Sequence, residues 1–163
     1  MSKGLRFFKE FLKERKTVGA LSPSSIFLAR KMLAPIDFEK ARVIVELGPG
    51  TGIFTKEVLK KLHPDAKLLV FETQKNFCEM IERDIKDSRM ILINDSAEKI
   101  QEYLQKNGLE NADYTISSIP FTVVPSQIKN TILSQAVKCL KPGGIFIQFQ
   151  YSDRKSTRLN SSH

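Results

Sequence analysis

Glu46-Leu47-Gly48-Pro49-Gly50-Thr51-Gly52 decides the fold. It follows a short β-branched apolar run, residues 41–47, and precedes a stretch with helical spacing, residues 55–62. Three alternating glycines let a chain leave a strand, turn sharply and admit a ligand against main-chain atoms. Two phosphate-binding turns do not fit. A dinucleotide-binding turn needs glycine at its first, third and sixth positions. Counting from Gly48, the sixth position is Ile53. A Walker loop ends in Gly-Lys-Ser/Thr, and none follows here. The turn is therefore read as the mouth of a site that seats no pyrophosphate.

Outward from this turn, short apolar runs alternate with helical spacing. Strands are expected at 41–47, 67–72, 90–93, 113–119 and 145–151. Helices are expected at 55–62, 76–85, 97–107 and 126–140, the third stopping at Gly108 and the last at Lys141-Pro142-Gly143-Gly144. Upstream, one helix covers 3–16. A second starts with Ser22 as N-cap and Pro23 at its first position and runs to about Leu33. Such alternation makes βαβ units, hence a Rossmann-like α/β domain with a doubly wound, mostly parallel sheet. Ligands of such sheets bind at the carboxyl ends of the strands, where the strand order reverses. A chain of 163 residues, 41% apolar, supports one domain with a real core. No apolar run approaches the roughly 18 residues of a membrane span.

Acidic residues close the next two strands. Glu72, with Thr73 after it, lies 24 positions beyond Gly48, where a carboxylate can accept hydrogen bonds from ribose hydroxyls. Asp95 closes the third strand and precedes Ser96. Either can also cap the following helix, with Glu98 nearby. The fourth strand ends Ser117-Ser118-Ile119-Pro120-Phe121. Pro120 and Phe121 are equally read as a loop proline and a buried ring. Cys78 and Cys139 lack metal-ligand spacing and read as reduced core thiols. His63 falls between a helix and a strand, away from the strand ends, and no metal is expected.

The Glu-x-Gly-x-Gly-x-Gly turn resembles motif I of class I S-adenosylmethionine (SAM)-dependent methyltransferases. That resemblance implies a SAM cradle formed by Glu46, Gly48, Gly50, Thr51 and Gly52. It implies ribose at Glu72 and Thr73, adenine at Asp95 and Ser96, and a flank at Ser117. Residues 117–121 stand at motif IV, so Ser118, Pro120 and Phe121 are implied to position the substrate. Methyltransferases of nucleobase amines carry Asn/Asp-Pro-Pro-Phe/Tyr or Asn-Leu-Pro-Tyr there. Ser118 replaces the amide, which departs from an adenine substrate. The family sheet has strand order 3-2-1-4-5-7-6, so the domain is expected to be truncated after strand five. That strand would then be an exposed apolar edge prone to aggregation.

Residues 1–16 carry six basic and two acidic groups. On a helical wheel Leu5, Phe7, Phe8, Phe11 and Leu12 share one side, rimmed by Lys3, Arg6, Lys9, Lys13 and Lys16. Such a helix either lies in an anionic membrane interface or buries its phenylalanines on its own domain. Together with Pro23-Ser24-Ser25 and Leu28-Ala29, these features resemble the bacterial phospholipid N-methyltransferases. The implied substrate is phosphatidylethanolamine or ornithine lipid, at the cytoplasmic face of the plasma membrane. An rRNA or tRNA adenine methyltransferase and a non-catalytic SAM-binding module stay open as alternatives. The chain divides into an amphipathic helix (1–17), a SAM-binding domain (18–152) and a tail (153–163). The tail, Asp-Arg-Lys-Ser-Thr-Arg-Leu-Asn-Ser-Ser-His, resembles a translated sequencing adapter and is expected to be non-native. Leaving it out reduces the net charge from +8 to +6, still suited to an anionic partner.

Overall fold

A computed structural model describes residues 23–149. The expected helix at 3–16 and the tail at 153–163 lie outside them. The order is α1 (Pro23–Leu33), β1 (Val43–Leu47), α2 (Ile53–Lys61), β2 (Lys67–Phe71), α3 (Lys75–Asp84), β3 (Met90–Ile93), α4 (Ile100–Lys106), β4 (Ala112–Ser117), α5 (Ser126–Lys138) and β5 (Leu140–Gln148). Two 3-10 turns, Ala97–Lys99 and Phe121–Val123, precede α4 and α5.

The five strands form one sheet in the order β3-β2-β1-β4-β5, every pair parallel. The order reverses between β1, which pairs β2 through Val45↔Leu69, and β4, which pairs β1 through Val45↔Thr115. Alternation along each strand feeds two cores. Ile44, Leu68, Val70 and Ile116 pack with Ala29, Leu33, Phe54, Val58 and Ile81 from α1, α2 and α3. Val45, Leu47, Leu69 and Phe71 pack with Ile100, Leu104, Ile132 and Ala136 from α4 and α5. β1 is buried throughout, as expected of a central parallel strand covered on both faces.

β5 starts five residues earlier than expected. Ala112 N–H donates to Cys139 O at 2.8 Å, so ladder pairing begins at Ala112↔Leu140. The register then shifts and resumes at Tyr114↔Ile145. Lys141-Pro142-Gly143-Gly144 is therefore a bulge inside the strand, not a turn before it. A proline is tolerated at such a position. Gly144 is required there, because a Cβ would stand 2.9 Å from Lys141 O and 3.1 Å from Asp113 O. β4 stops at Ser117, two residues short of expectation, because Ser117 Oγ accepts from Ile119 N–H at 3.2 Å and turns the chain.

The sheet end opposite the strand carboxyl termini is fastened by Asp113. Its Oδ2 accepts from Arg42 N–H and Val43 N–H, each at 2.9 Å, and Oδ1 pairs with the Lys141 ammonium. Burial works to raise this carboxyl, but the Lys141 bond and the two N–H donors outweigh it and hold it below the usual carboxylate range.

Candidate active site

A cleft of about 380 Å³ opens at the carboxyl ends of the strands, where the strand order reverses. Gly48 forms one edge. Its φ of +68° is left-handed, and its N–H donates to Phe71 O at 3.0 Å, joining the ends of β1 and β2. A Cβ there would sit 3.0 Å from Ile119 Cγ1, so the missing side chain is what lets the turn lie against the segment after β4. Ser118 N–H donates to Leu47 O at 3.0 Å and fixes that approach.

Glu72 lies just past the end of β2, 4% exposed, and lines the cleft. One of its oxygens accepts from Gln74 N–H at 2.9 Å. Its backbone carbonyl accepts from the Asn94 side-chain amide at 2.9 Å, which ties the ends of β2 and β3 together. Beneath it, Cys78 Sγ donates to the same carbonyl. Burial, reinforced by the nearby Glu72 charge, pushes the Cys78 thiol up to about 11.

Asp95 lines the neighbouring wall. Its Oδ1 accepts from Ser96 N–H at 2.7 Å. Its Oδ2 accepts from Tyr103 OH at 2.6 Å and from Lys99 Nζ at 3.3 Å. The Tyr103 hydroxyl, then Ser96 N–H and Lys99, hold this carboxyl below the usual range. Ser96 Oγ caps the following turn by accepting from Glu98 N–H at 3.1 Å. The capping and cleft-lining readings of Asp95–Ser96 thus hold together.

The cleft brings together Gly48, Glu72, Thr73, Asp95, Ser96, Ser118 and Pro120. Other anticipated residues stand behind it. Glu46 is fully buried below α2, where it accepts from Thr55 Oγ1 at 2.7 Å. It braces the helix that follows the turn. Gly50, Thr51 and Gly52 shape that turn, with Gly52 N–H donating to Pro49 O at 3.0 Å. Ser117 is spent on the Ile119 turn. Phe121 is a core ring, 4% exposed, packed with Ile132 and Ala136. His63 stays between α2 and β2, where its Nδ1 accepts from Asp65 N–H. The sequence reading missed an apolar wall formed by Val124, Pro125, Ile128 and Ile132. The four-residue spacing of 124, 128 and 132 carried that signal, but spacing alone does not say which face meets a cleft.

Three carboxylates, Glu72, Asp95 and Glu98, line the cleft, and no lysine or arginine does among the described residues. Such a lining favours a cationic ligand on one side and an apolar one against Val124 and Ile128. Its volume falls within the range of small-molecule sites.

A methyltransferase-domain family model matches residues 44–144. The chain is 32% identical over 143 residues to an ornithine lipid N-methyltransferase of Singulisphaera acidiphila, covering 87% of this chain and 74% of that protein. It is 29% identical over 115 residues to the ribosomal RNA small subunit methyltransferase A of Mycoplasma capricolum, covering 66% of this chain and 42% of that one. Among solved structures, the O-methyltransferase TomG of Streptomyces achromogenes, in complex with SAM, superposes with a TM-score of 0.60 at 17% identity. It matches 91% of this chain and 65% of its own. DesVI of Streptomyces venezuelae gives 0.61 at 12% identity, over 77% of this chain and half of its own.

Proposed function

The chain belongs to the SAM-dependent methyltransferases, and from that premise we propose that it methylates the amine of a membrane lipid, ornithine lipid or phosphatidylethanolamine. The observation that carries this reading is the likeness to the ornithine lipid enzyme, which extends over 87% of the chain. The chemistry of the cleft supports it. Carboxylates such as Glu72, Asp95 and Glu98 suit a sulfonium-bearing donor and an amine.

The residues present fit the cofactor. Gly48 lets the turn lie against Ile119 and so shapes that edge of the cleft. Glu72 offers acceptor capacity to a pair of ribose hydroxyls, and Asp95 with Ser96 borders the base. SAM, when bound, supplies a methyl group on a sulfonium that is already a good leaving group. The protein's share is alignment and exclusion of water, which can contribute about 7–11 kcal/mol. Ser118 and Pro120, held against β1 by the Ser118 N–H to Leu47 O bond, orient the amine. The apolar wall of Val124 and Ile128 receives the lipid's hydrocarbon.

Docking to the membrane is assigned to the basic, phenylalanine-rich segment before residue 17, which places the enzyme peripherally on the inner face of the plasma membrane. Phe27 and Leu28 on α1, 67% and 41% exposed, offer apolar surface as well. Among the described residues, no helix is long and apolar enough to cross a membrane.

The test is transfer of labelled methyl groups to vesicles containing ornithine lipid or phosphatidylethanolamine, with 16S rRNA as competitor. Label should enter the organic extract. The ribosomal relatives favour the second reading, and label confined to RNA would establish it in place of the first.

A further inference from the structure

Tyr103 lies on α4, eight residues beyond Asp95 and outside the cleft lining, yet its hydroxyl makes the shortest bond to that carboxylate, 2.6 Å. Its ring packs against Phe71 and lies beneath the exposed Lys106 side chain. The ring of Phe71, itself a cleft residue, meets it edge-on at 5.7 Å and 82°. The Lys106 ammonium stands 4.7 Å from its centroid. An O–H on a ring packed this way can point in few directions, so the bond constrains Asp95 more than it constrains Tyr103.

The acceptor inventory of Asp95 sharpens this. A carboxylate has about four lone-pair sites, two on each oxygen. Tyr103 and Lys99 fill Oδ2, and Ser96 N–H takes one site on Oδ1. One site on Oδ1 remains for a ligand donor. Without the Tyr103 hydroxyl the carboxylate could rotate about its last bond, because Ser96 and Lys99 restrain it only from neighbouring backbone and from a long, half-exposed side chain.

The geometry points to Tyr103 as a positioning residue that aims the free acceptor of Asp95 at an N–H donor on the cofactor's base, and so sets base selectivity. This rests on the cleft taking SAM. Tyr103 touches no ligand itself and acts through Asp95. Tyr103→Phe keeps the ring against Phe71 and Lys106 and removes only the hydroxyl.

The experiment is calorimetric titration with S-adenosylhomocysteine and with its inosyl analogue, whose base carries an oxo group in place of the amine. Wild type should prefer the adenosyl ligand by on the order of tenfold, the worth of a hydrogen bond to a charged group. Y103F should shrink that preference to about threefold or less by weakening adenosyl binding alone. In a D95A background, which leaves the Tyr103 hydroxyl no acceptor at that position, Y103F should change neither affinity. Equal weakening of both ligands by Y103F would overturn the role of Tyr103, as would an undiminished effect in D95A. Failure of the wild type to bind either ligand is a distinct result, which overturns the reading of the cleft and this inference with it.

Discussion

Gly48→Ala, compared with Gly108→Ala, isolates what the cradle requires of its first glycine. Both positions are left-handed, at φ +68° and +69°. An alanine pays about 1–2 kcal/mol for that conformation at either site. The surroundings differ. A Cβ at Gly108 meets nothing within 4 Å, whereas one at Gly48 meets Ile119 Cγ1 at 3.0 Å. Ile119 has little room to retreat. Its N–H donates to Ser117 Oγ, and its carbonyl accepts from Phe121 N–H and from Gln148 Nε2, both at 2.9 Å. The side chain must leave its rotamer or the 118–120 segment must shift by a few tenths of an ångström, at about 1 kcal/mol more. At about 3–4 °C per kcal/mol for a domain of this size, Gly108→Ala should lower Tm by roughly 3–8 °C and Gly48→Ala by roughly 6–12 °C. Only Gly48→Ala should weaken SAM binding, by on the order of tenfold, because only there does the strain fall on the cleft. Differential scanning calorimetry and titration read both quantities. Equal melting shifts and unchanged SAM affinity in the two variants would refute the reasoning.

Asp113→Ala leaves two N–H groups without their acceptor and should cost about 2–4 kcal/mol in urea unfolding at neutral pH. The Asp113 carboxyl sits below its ordinary value when folded. Its contribution is therefore complete above about pH 4 and is lost as pH falls through the lowered value, so the variant's stability should vary less with pH below about 4. Cys78, raised to about 11 and buried, should react with a thiol reagent at pH 8 far more slowly than a free thiol, with full reactivity only on unfolding. Gln148→Leu removes donors to Ile119 O and Phe149 O and should lower kcat several-fold while leaving SAM affinity unchanged, as read by steady-state kinetics beside titration. Phe8→Glu/Phe11→Glu should abolish sedimentation with anionic vesicles, and undiminished sedimentation would remove the assigned membrane contact.

The sheet was legible because parallel strands buried on both faces read as short β-branched runs. Residues 90–93 appear in the structure with the bounds expected. β5 was misplaced because Pro142 and two glycines look like a turn, and only pairing with Ala112 shows them to be a bulge. Glu72 and Asp95 were legible as cleft residues because they follow the carboxyl ends of β2 and β3, by one residue and by two. Glu46 and Phe121 were in the right segments but on other faces. A one-residue step reverses a strand side chain, and Glu46 points with Ile44 toward α2. Val124 and Ile128 escaped notice because the cleft they face is closed by the ends of β1 and β2, which are distant in sequence. The same holds for Tyr103, whose bond to Asp95 depends on how a 3-10 turn feeds α4.

The central claim is that the cleft between Gly48, Glu72 and Asp95 receives the adenosyl sulfonium. Titration of wild type and Glu72→Gln with SAM tests it most directly. The account predicts saturable one-to-one binding for the wild type and affinity weaker by on the order of tenfold or more for Glu72→Gln, which keeps the shape but loses the charge that strengthens hydrogen bonds to hydroxyls. The absence of binding heat at millimolar SAM, or equal affinity in the two proteins, would contradict it.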